Sequence, residues 1–198
     1  MNNLISEYIS TRICHDIIGN IGAVSNAVEL LEDNDTEFMD DIKSILKTSS
    51  AVLTARMKFF RLAFGLDNSG TKDLPLITDT IKNYLLTVGG KNPPQVNINL
   101  SHIISGKIIL LLTMIMADLM IKGGTIHIAE NNNKLIIGIQ EDTRIAEDKL
   151  KQLLNIINGD HNQISAQDAP ILYLQELCLQ QEVKLRYTTS PVLYFIVE

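Results

Sequence analysis

Apolar residues recur at spacings of three and four along the first third of the chain, and the period then changes. Ile9, Ile13, Ile17, Ile21, Val24, Val28 and Leu31 fall on one stripe, which predicts a long helix. Glu32-Asp33-Asn34-Asp35 reads as a polar turn, with Thr36 placed to cap a second helix. Met39, Ile42, Ile45, Leu46, Ser49, Leu53, Phe60 and Ala63 continue a helical pattern to about Phe64. Two long helices joined by a short turn make an antiparallel hairpin. Such a hairpin cannot cover both of its apolar faces alone. A second copy would do so, so a homodimer closing a four-helix bundle is expected.

Gly65 to Asp73 (GLDNSGTKD) is a linker rich in turn-forming residues. Leu74 to Val88 then reads as a helix, and Gly89-Gly90-Lys91-Asn92-Pro93-Pro94 breaks it. Gln95 to Leu100 alternates as a strand. A uniformly apolar helix comes next, through Lys122, ended by Gly123-Gly124. Thr125 to Glu130 and Leu135 to Gln140 flank Asn131-Asn132-Asn133 as a hairpin. Helices near Ala146–Asn158 and Asp168–Gln181 precede strands at Val183–Thr188 and Val192–Val197. The expected fold is α+β. Residues 1–64 form the helical hairpin, 65–73 the linker, and 74–198 an α/β sandwich with helices on one side of a mixed sheet. No repeat or low-complexity stretch is evident.

Composition narrows the function classes. The net charge of −6 gives no basic surface for a nucleic-acid backbone. Ile108 to Ile121 is too short to span a bilayer, which takes roughly 20 apolar residues, and it contains Asp118. Met1-Asn2-Asn3 lacks a basic start, and Glu7 and Arg12 interrupt the apolar positions after it, so no secretory leader is expected. Cys14 and Cys178 lie far apart without metal-ligand spacing, as free thiols would in a reducing compartment. The expected location is the cytoplasm. His102, His127 and His161 are scattered, with no partner at zinc spacing.

His15 stands out by its position. On a helical wheel of about 100° per residue it points about 160° from the centre of the first stripe, toward solvent. Arg12, Gly19, Gly22 and Asn26 share that outer face. A glycine inside a helix costs about 1 kcal/mol relative to alanine, and two of them here clear space beside the imidazole. Geometry alone leaves two readings open: a histidine presented to a docking protein, or a surface residue beside glycines that ease helix packing. Asp16 could accept the Nδ1 proton and leave Nε2 as a nucleophile, or be a solvated acid. Arg12 could steady an incoming phosphoryl group or form a surface salt bridge.

The run from Arg12 to Leu31 (RICHDIIGNIGAVSNAVELL) resembles the phosphoacceptor helix of histidine kinases. It is closer still to the ChpT-type histidine phosphotransferases of alphaproteobacteria, whose helix carries Arg-x-Cys-His-Asp, then Gly-Ala, then Glu-Leu-Leu. The linker and the helix ending in Lys122-Gly123-Gly124-Thr125-Ile126 agree as well. The resemblance implies a dimeric helical bundle followed by a domain shaped like a kinase ATP-binding domain that has lost nucleotide binding. It implies His15 as phosphoacceptor and Asp16 as its acid/base partner. Phosphoryl groups would arrive from the receiver domain of a hybrid histidine kinase and leave to receiver domains of response regulators. Mg²⁺ would be supplied by the receiver, and the chain itself would hold no cofactor or metal. Docking would use the face around Arg12, Gly19, Gly22 and Asn26. Gly19 and Asn20 depart from the serine and proline that relatives tend to carry there.

A working kinase domain of this type needs an Asn-rich helix and glycine-rich loops around the nucleotide. Here Thr113, Ala117 and Met120 stand at the Asn and basic positions. The adenine loop keeps Asp142 but neither glycine, and Ser165 to Leu174 has no glycine. Two other readings remain: a divergent kinase that autophosphorylates with ATP, and a dimeric adaptor without catalysis. The leading expectation is a phosphotransferase that neither binds nor hydrolyses ATP.

Overall fold

The computed structural model describes residues 2–32, 38–66, 70–102, 105–132 and 134–198. The expected cap at Thr36, most of the acidic turn before it, the middle of the linker and Asn133 lie outside the described residues. The chain is α+β. Helix α1 (Asn2–Glu32) and helix α2 (Met39–Phe64) form the antiparallel hairpin. The chain continues through α3 (Leu74–Leu85), β1 (Gln95–Asn99), α4 (Gly106–Leu119), β2 (Thr125–Asn131), β3 (Lys134–Ile139), α5 (Glu147–Ile157), α6 (Ala169–Gln180), β4 (Leu185–Thr188) and β5 (Tyr194–Val197).

The sheet runs β1-β2-β3-β5-β4. Only β1 and β2 pair in parallel, and α4 is the crossover between them. The remaining pairs are antiparallel, so short turns suffice. Ile126 and Ile128, Leu135, Ile137 and Ile139, and Phe195 and Val197 point inward from alternate positions. They meet α4, which packs on the sheet with one face and on α2, α3 and α6 with the others. A helix covered on all sides can be apolar all round, and Ile108 to Leu112 are each fully buried.

The base of the hairpin shares this core. Ile5 of α1 and Phe59, Phe60, Leu62 and Ala63 of α2 belong to the same buried cluster as α3 and α4. Phe59 stacks on Tyr84 of α3 with ring centroids 3.8 Å apart. The described parts of the linker are pinned rather than loose. Gly106 lets the Thr71 carbonyl approach where a Cβ would lie 2.2 Å from it, and the Lys107 ammonium donates to the Gly65 carbonyl at 2.5 Å. Asp73 caps α3, accepting from the Leu76 amide at 3.0 Å.

Two helices end earlier than their apolar pattern. The α3 helix stops at Leu85 and tightens into a turn closed by Thr87 N–H on the Tyr84 carbonyl, which frees the Thr87 carbonyl for another donor. The α4 helix stops at Leu119, because Met120 turns extended and bridges Ile145. The Arg144 carbonyl then takes the Ile121 amide, and the Ala146 amide donates to the Leu119 carbonyl. Gly123 and Gly124 sit at φ +61° and +120°, as expected of residues that reverse the chain.

Ile18, Ile21, Val28 and Leu30 of α1, with Phe38 and Ile45 near the start of α2, remain exposed. No described helix is long and apolar enough to cross a membrane.

Candidate functional site

His15 projects from the middle of α1 with 76% of its side chain exposed. Gly19, Gly22 and Asn26 lie beyond it along the same exposed face. A Cβ built on Gly19 or Gly22 would meet nothing within 4 Å, so neither glycine is needed for close helix packing within the chain. Gly19→Ala and Gly22→Ala are each expected to raise stability by about 0.5–1 kcal/mol, measured by denaturant unfolding.

Arg12 corrects its expected position. It is buried, not on the outer face, because α6 and the 3-10 turn Ala166–Asp168 before it cover that side of α1. Its two terminal nitrogens donate to the two oxygens of Asp118, each at 2.9 Å. One of them also reaches the Gln167 carbonyl at 3.3 Å. The Nε donates to Oδ2 of Asp16 at 2.9 Å. The wheel failed here because α1 buries two faces, one on α2 and one on the α/β half.

Asp16 is thereby held at the rim of the site, with 16% of its side chain exposed. Its second oxygen, Oδ1, lies 3.4 Å from Nδ1 of His15. That is a long hydrogen bond, of the kind that shortens when a reaction partner arrives. Arg56 of α2 adds a second clamp. It donates to the Asp16 carbonyl, to the Thr87 carbonyl at 2.8 Å and to Thr87 Oγ1 at 3.2 Å. The early end of α3 is what leaves Thr87 available.

Burial alone would lower the basicity of Arg12, but its pairing with Asp118 and Asp16 outweighs this and holds the guanidinium firmly charged. Burial pushes the Asp118 carboxyl up, against the pull of Arg12. The two directions oppose one another. The bidentate contacts and the 31% exposure of the Asp118 side chain favour the ionised pair. Asp118 was legible only as an anomaly: a lone charge in an apolar run needs a partner, and Arg12 is it.

Cys14 beside His15 is exposed, whereas Cys178 is buried and its thiol is pushed up to about 11 by desolvation. Only Cys14 is expected to react with a thiol reagent at mildly alkaline pH, Cys178 joining once the chain unfolds. A peptide map of the labelled protein checks this.

Beyond Asp118 a cleft of about 290 Å³ opens between α4, α5 and the segment leading into α6. Asp118, Asp148 and Asp168 line it with a single basic residue, Lys149. Its outer wall is tied down by a capping box, in which Ser165 and Asp168 satisfy each other across the 3-10 turn. Thr113, expected at a nucleotide-holding position, is fully buried and donates to the Ile109 carbonyl at 2.7 Å instead. Among the described residues no group of three His, Cys, Asp or Glu side chains could hold a metal ion.

The exposed His15 thus sits on a helical hairpin joined to a five-stranded α/β half. The chain is 38% identical over 65 residues to the protein phosphotransferase ChpT of Brucella abortus (strain 2308). That match takes in 33% of this chain and only 30% of the relative, so the chain aligns with less than a third of that protein's length. A solved bacterial phosphotransferase has the same fold, with a TM-score of 0.79 and 22% identity over 100% of this chain and 97% of that one. No family model matches the chain. The sequence likeness is thus to a ChpT phosphotransferase, and the fold likeness is to a bacterial phosphotransferase.

Proposed function

We propose that this protein is a histidine phosphotransferase of a bacterial phosphorelay, with His15 as the group that is phosphorylated. The observation carrying this reading is an imidazole with 76% of its side chain in solvent, beside a carboxylate held by Arg12 on a residue whose backbone carbonyl is held by Arg56. Asp16 favours the tautomer with the proton on Nδ1, so the Nε2 lone pair faces outward. In transfer, the Nε2–P bond forms as the bond from phosphorus to the donor's aspartyl oxygen breaks, and the donor carboxylate leaves with the electron pair. The Nδ1 proton stays on the imidazole, where the Asp16 carboxylate balances the positive charge of the phosphorylated ring. The reverse transfer, to an acceptor aspartate, uses the same geometry. Catalysis is then positioning and charge balance, with Mg²⁺ contributed by the receiver.

Donor and acceptor are receiver domains, docking over Gly19, Gly22 and Asn26, where the helix is free of bulk. The exposed apolar residues of the upper hairpin are covered by a second copy, in a homodimeric four-helix bundle. The α/β half takes no triphosphate in this reading: the adenine loop lacks both glycines, Ser165 to Leu174 has none, and Thr113 is turned inward onto the Ile109 carbonyl. Residues 1–64 are thus the transfer and dimerisation unit and residues 74–198 an ATPase-like half without nucleotide, joined by 65–73, in a cytoplasmic protein.

The test is a transfer assay with two arms, one supplying a labelled phospho-receiver and the other labelled ATP. Label from the receiver alone supports the relay. Label from ATP alone makes the protein a divergent kinase, and no label from its own receivers leaves the adaptor reading.

A further inference from the structure

The α/β half, if it has no nucleotide to deliver, needs another reason to be locked against the phosphoacceptor helix. The lock is specific: Asp118 and the Gln167 carbonyl grip α1 at Arg12, and Thr87 holds Arg56 of α2, which grips the Asp16 carbonyl, on either side of the turn that carries His15. We propose that Asp118 is a positioning residue for phosphoryl transfer at His15, acting through the Arg12 guanidinium on the Asp16 carboxylate. The inference rests on the phosphotransferase reading and assigns part of that chemistry to the second half of the chain.

The argument is one of donors and acceptors. Asp118 occupies the terminal nitrogens of Arg12 with both of its oxygens. Held in that orientation, the guanidinium reaches Asp16 through Nε alone, on a single oxygen, Oδ2. Oδ1 remains free for the imidazole. The backbone is fixed separately, by Arg56 on the Asp16 carbonyl. Asp118 itself is steadied by α5, from which the Lys149 ammonium donates to its carbonyl at 3.0 Å. Without the Asp118 charge, the freed fork of Arg12 can turn onto Asp16 and engage both carboxylate oxygens, the geometry that guanidinium and carboxylate prefer. Oδ1 is then withdrawn from Nδ1, and nothing holds the imidazole proton away from Nε2. A proton on Nε2 blocks the lone pair that attacks phosphorus.

The experiment uses the full-length protein with ¹⁵N-labelled histidine, comparing wild type with Asp118→Asn. The ring-nitrogen shifts of His15 report its tautomer, and a phospho-receiver assay run over donor concentration reports transfer. The expected result is a shift of His15 toward the Nε2–H tautomer. Transfer should slow roughly ten- to a hundredfold in its maximal rate, with the half-saturating receiver concentration unchanged. A lower melting temperature with unchanged tautomer and unchanged maximal rate would reduce Asp118 to a structural salt bridge and overturn the proposal. If Asp118→Asn does not fold, Arg12→Lys replaces it, since a lysine keeps the charge but cannot hold both carboxylates side-on. The same two readouts then decide. His15→Ala runs in parallel to separate the two ideas. If wild type takes no label, the relay reading fails. If wild type is labelled, His15→Ala is not, and Asp118→Asn matches wild type in rate and tautomer, only the role of Asp118 fails.

Discussion

His15→Ala is expected to abolish phosphoryl uptake from a phospho-receiver, by at least about a hundredfold, while leaving the fold intact. The side chain is largely in solvent and its sole described partner is the long contact to Asp16. Little packing is lost on truncation, and alanine is the better helix former, so unfolding free energy should hold or rise by a few tenths of a kcal/mol. The contrast between lost transfer and kept stability is what separates a phosphoacceptor from a core histidine. Denaturant unfolding and the transfer assay on the same preparation check both halves. A variant that still accepted label would place the nucleophile elsewhere.

Arg12→Ala is expected to have the largest effect on stability. It removes the guanidinium shared by Asp118 and Asp16 and leaves two carboxylates near one another at the join between α1 and α4. Breaking a buried ion pair by removing one partner typically costs about 3–5 kcal/mol. The partial exposure of Asp118 lets water recover some of this, so about 2–4 kcal/mol is expected, or roughly 5–15 °C in melting temperature for a chain of this size. The double change Arg12→Met with Asp118→Leu should recover part of the stability, because it leaves only the Asp16 carboxylate, at the rim of the site, without its partner. It should not recover transfer, because nothing then fixes Asp16. Thermal melts of the single and double variants measure the first part. Recovery of both stability and transfer would mean that the pair serves packing only.

The element order was readable because each element shows its own pattern. Threes and fours mark α1 and α2, alternation marks β1, an Asn-rich turn marks the β2–β3 hairpin, and a run apolar on every side marks α4. The ends of α3 and α4 were not readable, since Thr87 and Met120 leave the helix for partners far along the chain: Arg56 in one case and Ile145 in the other. At the site, His15, Gly19, Gly22 and Asn26 stand exposed where the wheel put them. Arg12 does not. A wheel registers the apolar stripe, and Arg12 is buried by a polar contact that no stripe records. Asp118 carried a signal of its own, as the single charge between Ile108 and Ile121, but its partner lies 106 residues away and only the fold joins them.

The most direct measurement is to locate the phosphoryl group on the wild-type chain after incubation with a phospho-receiver, by peptide mass spectrometry and by stability of the bond to acid and alkali. The account predicts one modified peptide, carrying the group on His15 as an acid-labile, alkali-stable phosphohistidine. Modification of another residue, or a His15 that stays unmodified while the donor loses its phosphoryl group to this chain, would contradict it.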